Sequence, residues 1–160
     1  MNINERKKTE LQQAYAVCSR HAHWLSDALS DLDVSAGSYQ NELTSDNKEM
    51  IRIMDQFAYR YTRLQDEMGA RLMPAILLTL GEDVKAMPAI DRFNRLEQLG
   101  WLPSAEEWLE HREIRNQFTH EYPERPDDHL EKLKAAMTSA NRLIEIFSNI
   151  SERLKKEKLI

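Results

Sequence analysis

Cysteine, glycine and proline are scarce in this sequence of 160 residues, which contains 1, 4 and 5 of them respectively. Because glycine and proline interrupt regular structure, their scarcity favours long helices. The single cysteine, Cys18, excludes an internal disulfide and is typical of a reducing compartment. Long apolar runs are also missing, since the longest, around Leu72 to Leu80, contains Pro74 and is too short to span a bilayer.

Charge and length restrict the class of protein further. The first ten residues are polar and charged, so no signal peptide is visible, and we expect a cytoplasmic protein with no membrane contact. The net charge of −5 argues against broad, non-specific binding of nucleic acid but is compatible with a local basic cleft. A hydrophobic content of 41% is enough for a core, and we predict one domain over residues 1–160.

Several kinds of chemistry have no motif in this sequence. There is no Glu-x-x-His pair of the kind that holds a di-iron centre, and there is no glycine-rich phosphate loop. His111, His120 and His129 are nine residues apart, which would place successive histidines on alternate faces of a continuous helix. We therefore expect neither a metal site nor a cofactor.

Apolar residues recur at intervals of three and four through most of the chain, as in amphipathic helices. Pro74 should bend or split the second of these helices. The predicted helices run from about Glu5 to Asp33, Asp46 to Leu80, Pro88 to Leu99, Ser104 to His120 and Asp127 to Leu154. This pattern predicts an all-α fold, an antiparallel helical bundle of four to five main helices.

The helix that begins near Ser104 carries an arginine in an unusual position. Ser104 and Glu107 have the spacing of a capping box. On a helical wheel Arg115 falls inside the arc expected to face the core. That arc is formed by Trp108, Ile114, Phe118 and Tyr122. Because a guanidinium does not lose its proton, Arg115 needs a partner, a phosphate or a water-filled cleft.

Arg115 and His120 together suit phosphodiester chemistry. An arginine neutralises a phosphate bidentately, and a histidine transfers protons near neutral pH. Asn116 lies one turn before His120 and is placed to orient it. On an ideal helix, however, Arg115 and His120 are about 140° apart, which favours a loosened last turn or a second copy of the chain. The alternative is a partly buried arginine holding a helix end and a solvated histidine.

Arg115-x-x-x-x-His120, with Asn116 after the arginine and Tyr122 two residues after the histidine, resembles the motif of HEPN domains. The form with the tyrosine resembles the HepT toxins, which are paired with small nucleotidyltransferase (MNT) antitoxins. The resemblance covers Arg112 to Pro123. It implies a HEPN-like helical bundle that acts as a metal-independent endoribonuclease, with the motifs of a homodimer facing one cleft.

The resemblance also assigns roles to individual residues. Arg115 would stabilise charge on the phosphate, His120 would transfer protons to or from the RNA, and Asn116 would hold His120. Tyr122 has two readings, as the hydroxyl that the nucleotidyltransferase modifies with AMP and as an aromatic residue that packs the helix end. The main alternative function is a non-catalytic nucleotide- or partner-binding helical module associated with a nucleotidyltransferase. A further alternative is a helical adaptor whose motif is coincidental.

Residues outside the motif are predicted from position alone. Arg112, Arg60 and Arg63 are possible RNA-binding residues if their helices are neighbours. In a HEPN-like bundle, which the resemblance implies, the second helix borders the motif helix, so Asp66 or Arg63 would support the motif residues. The alternative is that Arg63 and Asp66 form a surface pair. His21 and His23 lie two residues apart on the first helix and are expected at the surface or its rim.

Overall fold

The computed structural model describes residues 2–34, 48–121 and 126–160, and side chains for 2–33, 48–120 and 130–160 of these. The described residues form helices and contain no strand, which confirms the all-α prediction. The α-helices are α1 (Ile3–Val34), α2 (Lys48–Glu67), α3 (Met73–Thr79), α4 (Ala89–Gln98), α5 (Ala105–Glu121) and α6 (Pro126–Lys156). A π-helical turn (Met68–Leu72) joins α2 to α3, and a 3₁₀ turn (Val84–Ala86) precedes α4. In the described part of the chain, no helix combines the length and apolar content that crossing a membrane requires.

Helix α1 begins two residues before its predicted start because Asn2 caps it. The amide of Glu5 donates to Oδ1 of Asn2 at 2.8 Å, and the amide of Asn2 donates to Oε2 of Glu5 at 2.9 Å. This is a reciprocal capping box in which asparagine takes the place of serine or threonine. The predicted helix itself is confirmed.

The predicted break at Pro74 takes the form of a widened turn. Proline has no N–H to donate, and its ring collides with the carbonyl four residues earlier in a regular α-helix. The π-helical turn Met68–Leu72 lies directly before Pro74, so the helical path continues through it into α3. Gly81, with φ of 88°, terminates this path. The predicted start at Asp46 lies outside the described residues.

Four long helices, α1, α2, α5 and α6, pack around one apolar core. Helices α2 and α5 run antiparallel, because Tyr61 meets Phe118 while Gly69, later on the π turn, meets Trp108, earlier on α5. Helix α1 packs against α2 and α6. The predicted apolar stripe of α2 is fully buried, and consists of Met50, Met54, Phe57, Tyr61, Leu64 and Met68.

Helix α5 begins as predicted but makes only half of its capping box. The amide of Glu107 donates to Oγ of Ser104 at 3.1 Å. The Glu107 carboxylate does not return to Ser104, since it pairs with Arg142 of α6. Oε1 of Glu97, from α4, instead accepts the Ala105 amide at 3.0 Å. A tertiary ion pair has therefore replaced the local contact.

The arc of α5 that was expected to face the core does so where its side chains are described. Trp108 and Phe118 are fully buried, and Ile114 is partly buried. Tyr122 and Pro123 lie outside the described residues. The core contact of α5 also fixes which way Arg115 points, because Arg115 projects from the edge of this arc.

Candidate functional site

Arg115 is held against α2 by two consecutive residues. Its Nε donates to Oε1 of Gln65 at 3.0 Å, and its Nη2 lies 3.1 Å from Oδ1 of Asp66. The Arg115 side chain is 15% exposed, and that of Asp66 is 44% exposed. Arg115, a cation on the arc that faces the core, therefore has two partners. They are the carboxylate of Asp66 at the edge of the bundle and the buried amide of Gln65.

His120 lies on a different side of α5, in an open groove of about 630 Å³. Lys132 of α6 lines the same groove, so its two walls come from the last turn of α5 and the start of α6. The groove is lined by Glu113, Asn116, Gln117, Thr119, His120 and Lys132. Asn116 and His120 are both exposed. These are the features of a site open to a large polar ligand.

One chain does not bring Arg115 and His120 into the same groove. Arg115 is absent from the groove lining, and its guanidinium is engaged by Gln65 and Asp66. The helix is regular through His120, so five residues of helical rotation keep the two side chains roughly 140° apart. The loosened last turn considered from the sequence does not occur up to Glu121.

Arg60 and Arg63 of α2 are engaged by residues outside the motif helix. Nη1 of Arg60 lies 3.0 Å from Nδ1 of His21. Nη2 of Arg63 donates to Oε1 of Glu67 at 2.9 Å. Gln65 and Asp66 occupy the side of α2 that meets α5. The structure therefore separates Arg60 and Arg63 from Arg115, and it places Asp66 as the residue that supports Arg115.

The expected surface position is wrong for His21, although His23 is exposed. His21 is 6% exposed and packs edge-on against the ring of Tyr59. Burial, and then the positive charge of Arg60, lower the pKa of His21 below its usual value. The wheel of α1 alone does not reveal this, because α2 covers His21.

Arg112 is exposed and lines a second pocket, of about 330 Å³, that shares no residue with the groove of His120. Gln65 and Asp66 also line it, so the second pocket lies on the same side of α5 as the Arg115 ion pair. Arg92 of α4 lines the same pocket. Arg92 was not a predicted site residue, since its distance from Arg112 depends on how α4 packs.

A buried polar network links α2, α5 and α6. The Tyr61 hydroxyl donates to Oγ of Ser139 at 2.7 Å, and this oxygen lies 2.8 Å from Nδ1 of His111. Nε2 of His111 lies 3.3 Å from Oε1 of Glu107. The hydrogen bond from Arg142 holds the pKa of Glu107 below its usual value. Burial raises the pKa of Tyr61 to about 12.

Ser139, His111 and Glu107 follow the order of a nucleophile, a base and a carboxylate. Ser139 is only 1% exposed, and Tyr61 covers its oxygen. A substrate therefore has no path to this hydroxyl. The network holds α2, α5 and α6 together instead of forming a catalytic triad.

The thiol of Cys18 and the potential metal-ligating side chains offer no further site in the described residues. Cys18 is fully buried, and burial raises the pKa of its thiol to about 12, so it remains a protonated thiol. Among the side chains that the structure describes (2–33, 48–120 and 130–160), no cluster of three or more histidine, cysteine, aspartate or glutamate residues is arranged to hold a metal ion.

Comparison of the chain with models of protein families, with curated proteins and with solved structures found no match.

Proposed function

We propose that this chain is a metal-independent endoribonuclease of the HEPN type, the toxin of a toxin–antitoxin pair. The observation that carries the proposal is the geometry of the motif helix. His120 and Asn116 line an open groove together with Lys132, while Arg115 is anchored on the adjacent side of the same helix. A proton-transfer group and a fixed guanidinium are the two elements that RNA cleavage without a metal requires.

In the proposed reaction a ribose 2′-hydroxyl attacks the adjacent phosphorus. One His120 imidazole accepts the 2′-hydroxyl proton as the O2′–P bond forms. The P–O5′ bond breaks, and the departing oxygen takes a proton from an imidazolium. The products are a 2′,3′-cyclic phosphate and a 5′-hydroxyl. Arg115 stabilises the charge that develops on the phosphate oxygens, and Asn116 holds His120 in place.

A two-fold homodimer completes this site. Within one chain the guanidinium of Arg115 and the imidazole of His120 lie on different sides of α5. In a symmetric dimer, a second α5 placed across the groove would bring the Arg115 of one protomer towards the His120 of the other. The dimer also supplies two histidines, one as base and one as acid.

The proposed partner is an MNT-type nucleotidyltransferase antitoxin. By resemblance to HepT, this partner attaches AMP to the Tyr122 hydroxyl, two residues beyond His120. The added group is bulky and negatively charged, so it would block a cleft that binds RNA phosphates.

RNA cleavage in excess EDTA tests the proposal. We expect cleavage by the wild-type protein and a loss of at least about 100-fold in Arg115→Ala and His120→Ala. Arg52→Ala and His23→Ala are matched controls, because they remove the same side-chain types from exposed positions outside the motif helix. Equal cleavage by all five proteins would identify a contaminating nuclease and contradict the proposal.

A non-catalytic module that binds a nucleotide or a nucleotidyltransferase is the second candidate. The ion pair with Asp66 favours it, because this pair already compensates the charge of Arg115. A folded wild-type dimer that binds RNA or the nucleotidyltransferase without cleaving a panel of cellular RNAs would support this second candidate over the first.

A further inference from the structure

The second pocket takes no part in the proposed cleavage reaction, although two of its lining residues, Gln65 and Asp66, hold Arg115. It is bordered by the π turn after α2, by α4 and by α5, and its volume of about 330 Å³ is at the lower end of the range for small-molecule sites. Its lining residues are Gln65, Asp66, Gly69, Ala70, Ala89, Arg92, Phe93 and Arg112. None of them lines the groove of His120.

Buried donors without acceptors are concentrated at this pocket. In the described part of the chain four buried side-chain N–H groups lack an acceptor, and two of these, on Gln65 and Arg92, belong to lining residues. A third is the indole N–H of Trp108, whose nitrogen lies 3.8 Å from the position that a Cβ would take on Gly69. Buried donors are normally paired, so this concentration indicates an acceptor-rich ligand.

The orientation of the Gln65 amide is fixed by Arg115. Oε1 of Gln65 accepts the Arg115 Nε at 3.0 Å, so the amide cannot turn without placing its NH₂ group against a guanidinium. Nε2 therefore stays on the side away from Arg115, with no acceptor, and Gln65 is only 2% exposed. A buried amide donor in a fixed orientation distinguishes this pocket from an ordinary surface cleft.

The charge of the pocket is positive once its ion pair is counted. Asp66 is the carboxylate among the lining residues, and Arg115 neutralises it at 3.1 Å. Arg92 and Arg112 then remain, and no carboxylate of the described residues pairs with either of them. The guanidinium of Arg92 donates one hydrogen bond, from Nη2 to the carbonyl of Val84 at 3.1 Å. Two guanidinium groups and a neutral amide donor suit an oxyanion.

We propose that this pocket binds the phosphate group of a small phosphorylated ligand. Arg112 and Arg92 pair with the phosphate, and the Gln65 amide donates to one of its oxygens. The Trp108 indole packs directly against Gly69, where a Cβ would stand only 3.3 Å from Cζ2 of the ring, so its N–H signal reports on a ligand bound in the pocket. The pocket shares Gln65 and Asp66 with the support of Arg115, but the proposed phosphate contacts do not involve His120.

Titration of the full-length protein, followed by ¹H–¹⁵N NMR of its three tryptophan indole signals, tests the proposal. The probes are inorganic phosphate, adenosine monophosphate, adenosine and acetate at constant ionic strength. We expect a saturable shift of the Trp108 signal with phosphate and with adenosine monophosphate, while Trp24 and Trp101 serve as references. A Trp108 shift with adenosine as large as with its monophosphate, or acetate binding as tight as phosphate, would overturn the proposal.

Variants locate the binding. Arg112→Gln should weaken phosphate binding about tenfold or more, and Arg52→Gln, another exposed arginine, should not change it. Ala70 is exposed, so Ala70→Glu adds a negative charge to the lining without removing an arginine, and Ala70→Gln is its neutral match. We expect weakening with the glutamate only. Unchanged binding in both Arg112→Gln and Ala70→Glu would overturn the proposal.

His120→Ala separates this site from the ribonuclease. If phosphate binds in the second pocket, His120→Ala should bind phosphate as tightly as the wild type does, even if it no longer cleaves RNA. If His120→Ala weakens phosphate binding as much as Arg112→Gln does, the anion lies in the groove of His120 and the second pocket is not the site.

Discussion

Asp66 and Arg115 form an ion pair between α2 and α5, with 3.1 Å between Oδ1 and Nη2. Gln65, the residue before Asp66, accepts the Arg115 Nε at 3.0 Å. Two neighbouring residues of one helix thus fix the guanidinium of another helix at two of its nitrogens. The orientation of Arg115 is therefore a property of the contact between the helices.

Asp66→Ala should lower RNA cleavage about tenfold if Arg115 acts on the phosphate, because the guanidinium loses the partner that fixes it. Asp66→Glu should restore most of the activity. Because Arg115 is only 15% exposed, the loss of its carboxylate partner should also lower the melting temperature, so cleavage is compared at a temperature where both proteins are folded. Asp27→Ala, at an exposed position of α1, is the control. Higher cleavage in Asp66→Ala would instead mean that the carboxylate competes with RNA for Arg115.

Ser139→Ala should destabilise the protein by about 1–3 kcal/mol, because it leaves the buried Tyr61 hydroxyl and Nδ1 of His111 without their shared partner. Urea unfolding measures this cost. Ser30→Ala, at an exposed helical position, should change the free energy of unfolding by less than about 0.5 kcal/mol. In a Tyr61→Phe background the cost of Ser139→Ala should fall, and equal costs in both backgrounds would show that the hydrogen bond contributes nothing.

Acid should remove the stabilisation that Glu107 provides. Arg142 lowers the pKa of Glu107 in the folded state from its ordinary value of 4.5, so the unfolded chain binds this proton more readily. The stabilisation is complete above about pH 5 and is lost as the pH falls through the folded-state pKa. Between about pH 6 and pH 3 the wild type should therefore lose more of its free energy of unfolding than Glu107→Gln does.

The free energy of unfolding measured in urea across that pH range checks this prediction. Glu110→Gln is the matched control, since Glu110 is exposed on the same helix. It should keep the pH dependence of the wild type. If Glu107→Gln also keeps it, Glu107 is not linked to folding.

Cys18 should react slowly with a thiol reagent in the native protein. It is fully buried, and burial raises its thiol pKa to about 12, so the thiolate is both scarce and covered. At about pH 8 we expect alkylation at least roughly 100-fold slower in buffer than in denaturing urea, because the reaction requires local opening. Mass spectrometry of the alkylated protein over time measures both rates. Similar rates would mean that α1 opens freely near Cys18.

Local rules are sufficient to predict the helices. The apolar stripe of α2, the break at Pro74 and the hydroxyl of Ser104 at the start of α5 all depend on residues within a few positions of one another. The 140° between Arg115 and His120 follows in the same way from helix geometry. The sequence also identified Arg115 as a cation on the core-facing arc of α5 that needs a partner.

Contacts between helices decided the rest. Three contacts join residues that are 20 to 50 positions apart in the chain. They are the contacts of Arg115 with Gln65 and Asp66, the covering of His21 by α2, and the pocket shared by Arg92 and Arg112. The same holds for Glu107, which leaves its local cap for Arg142. A helical period tells which side of a helix is apolar, but not which neighbour covers it or at what height. Those are fixed by side-chain packing across the core, which no single segment of the chain contains.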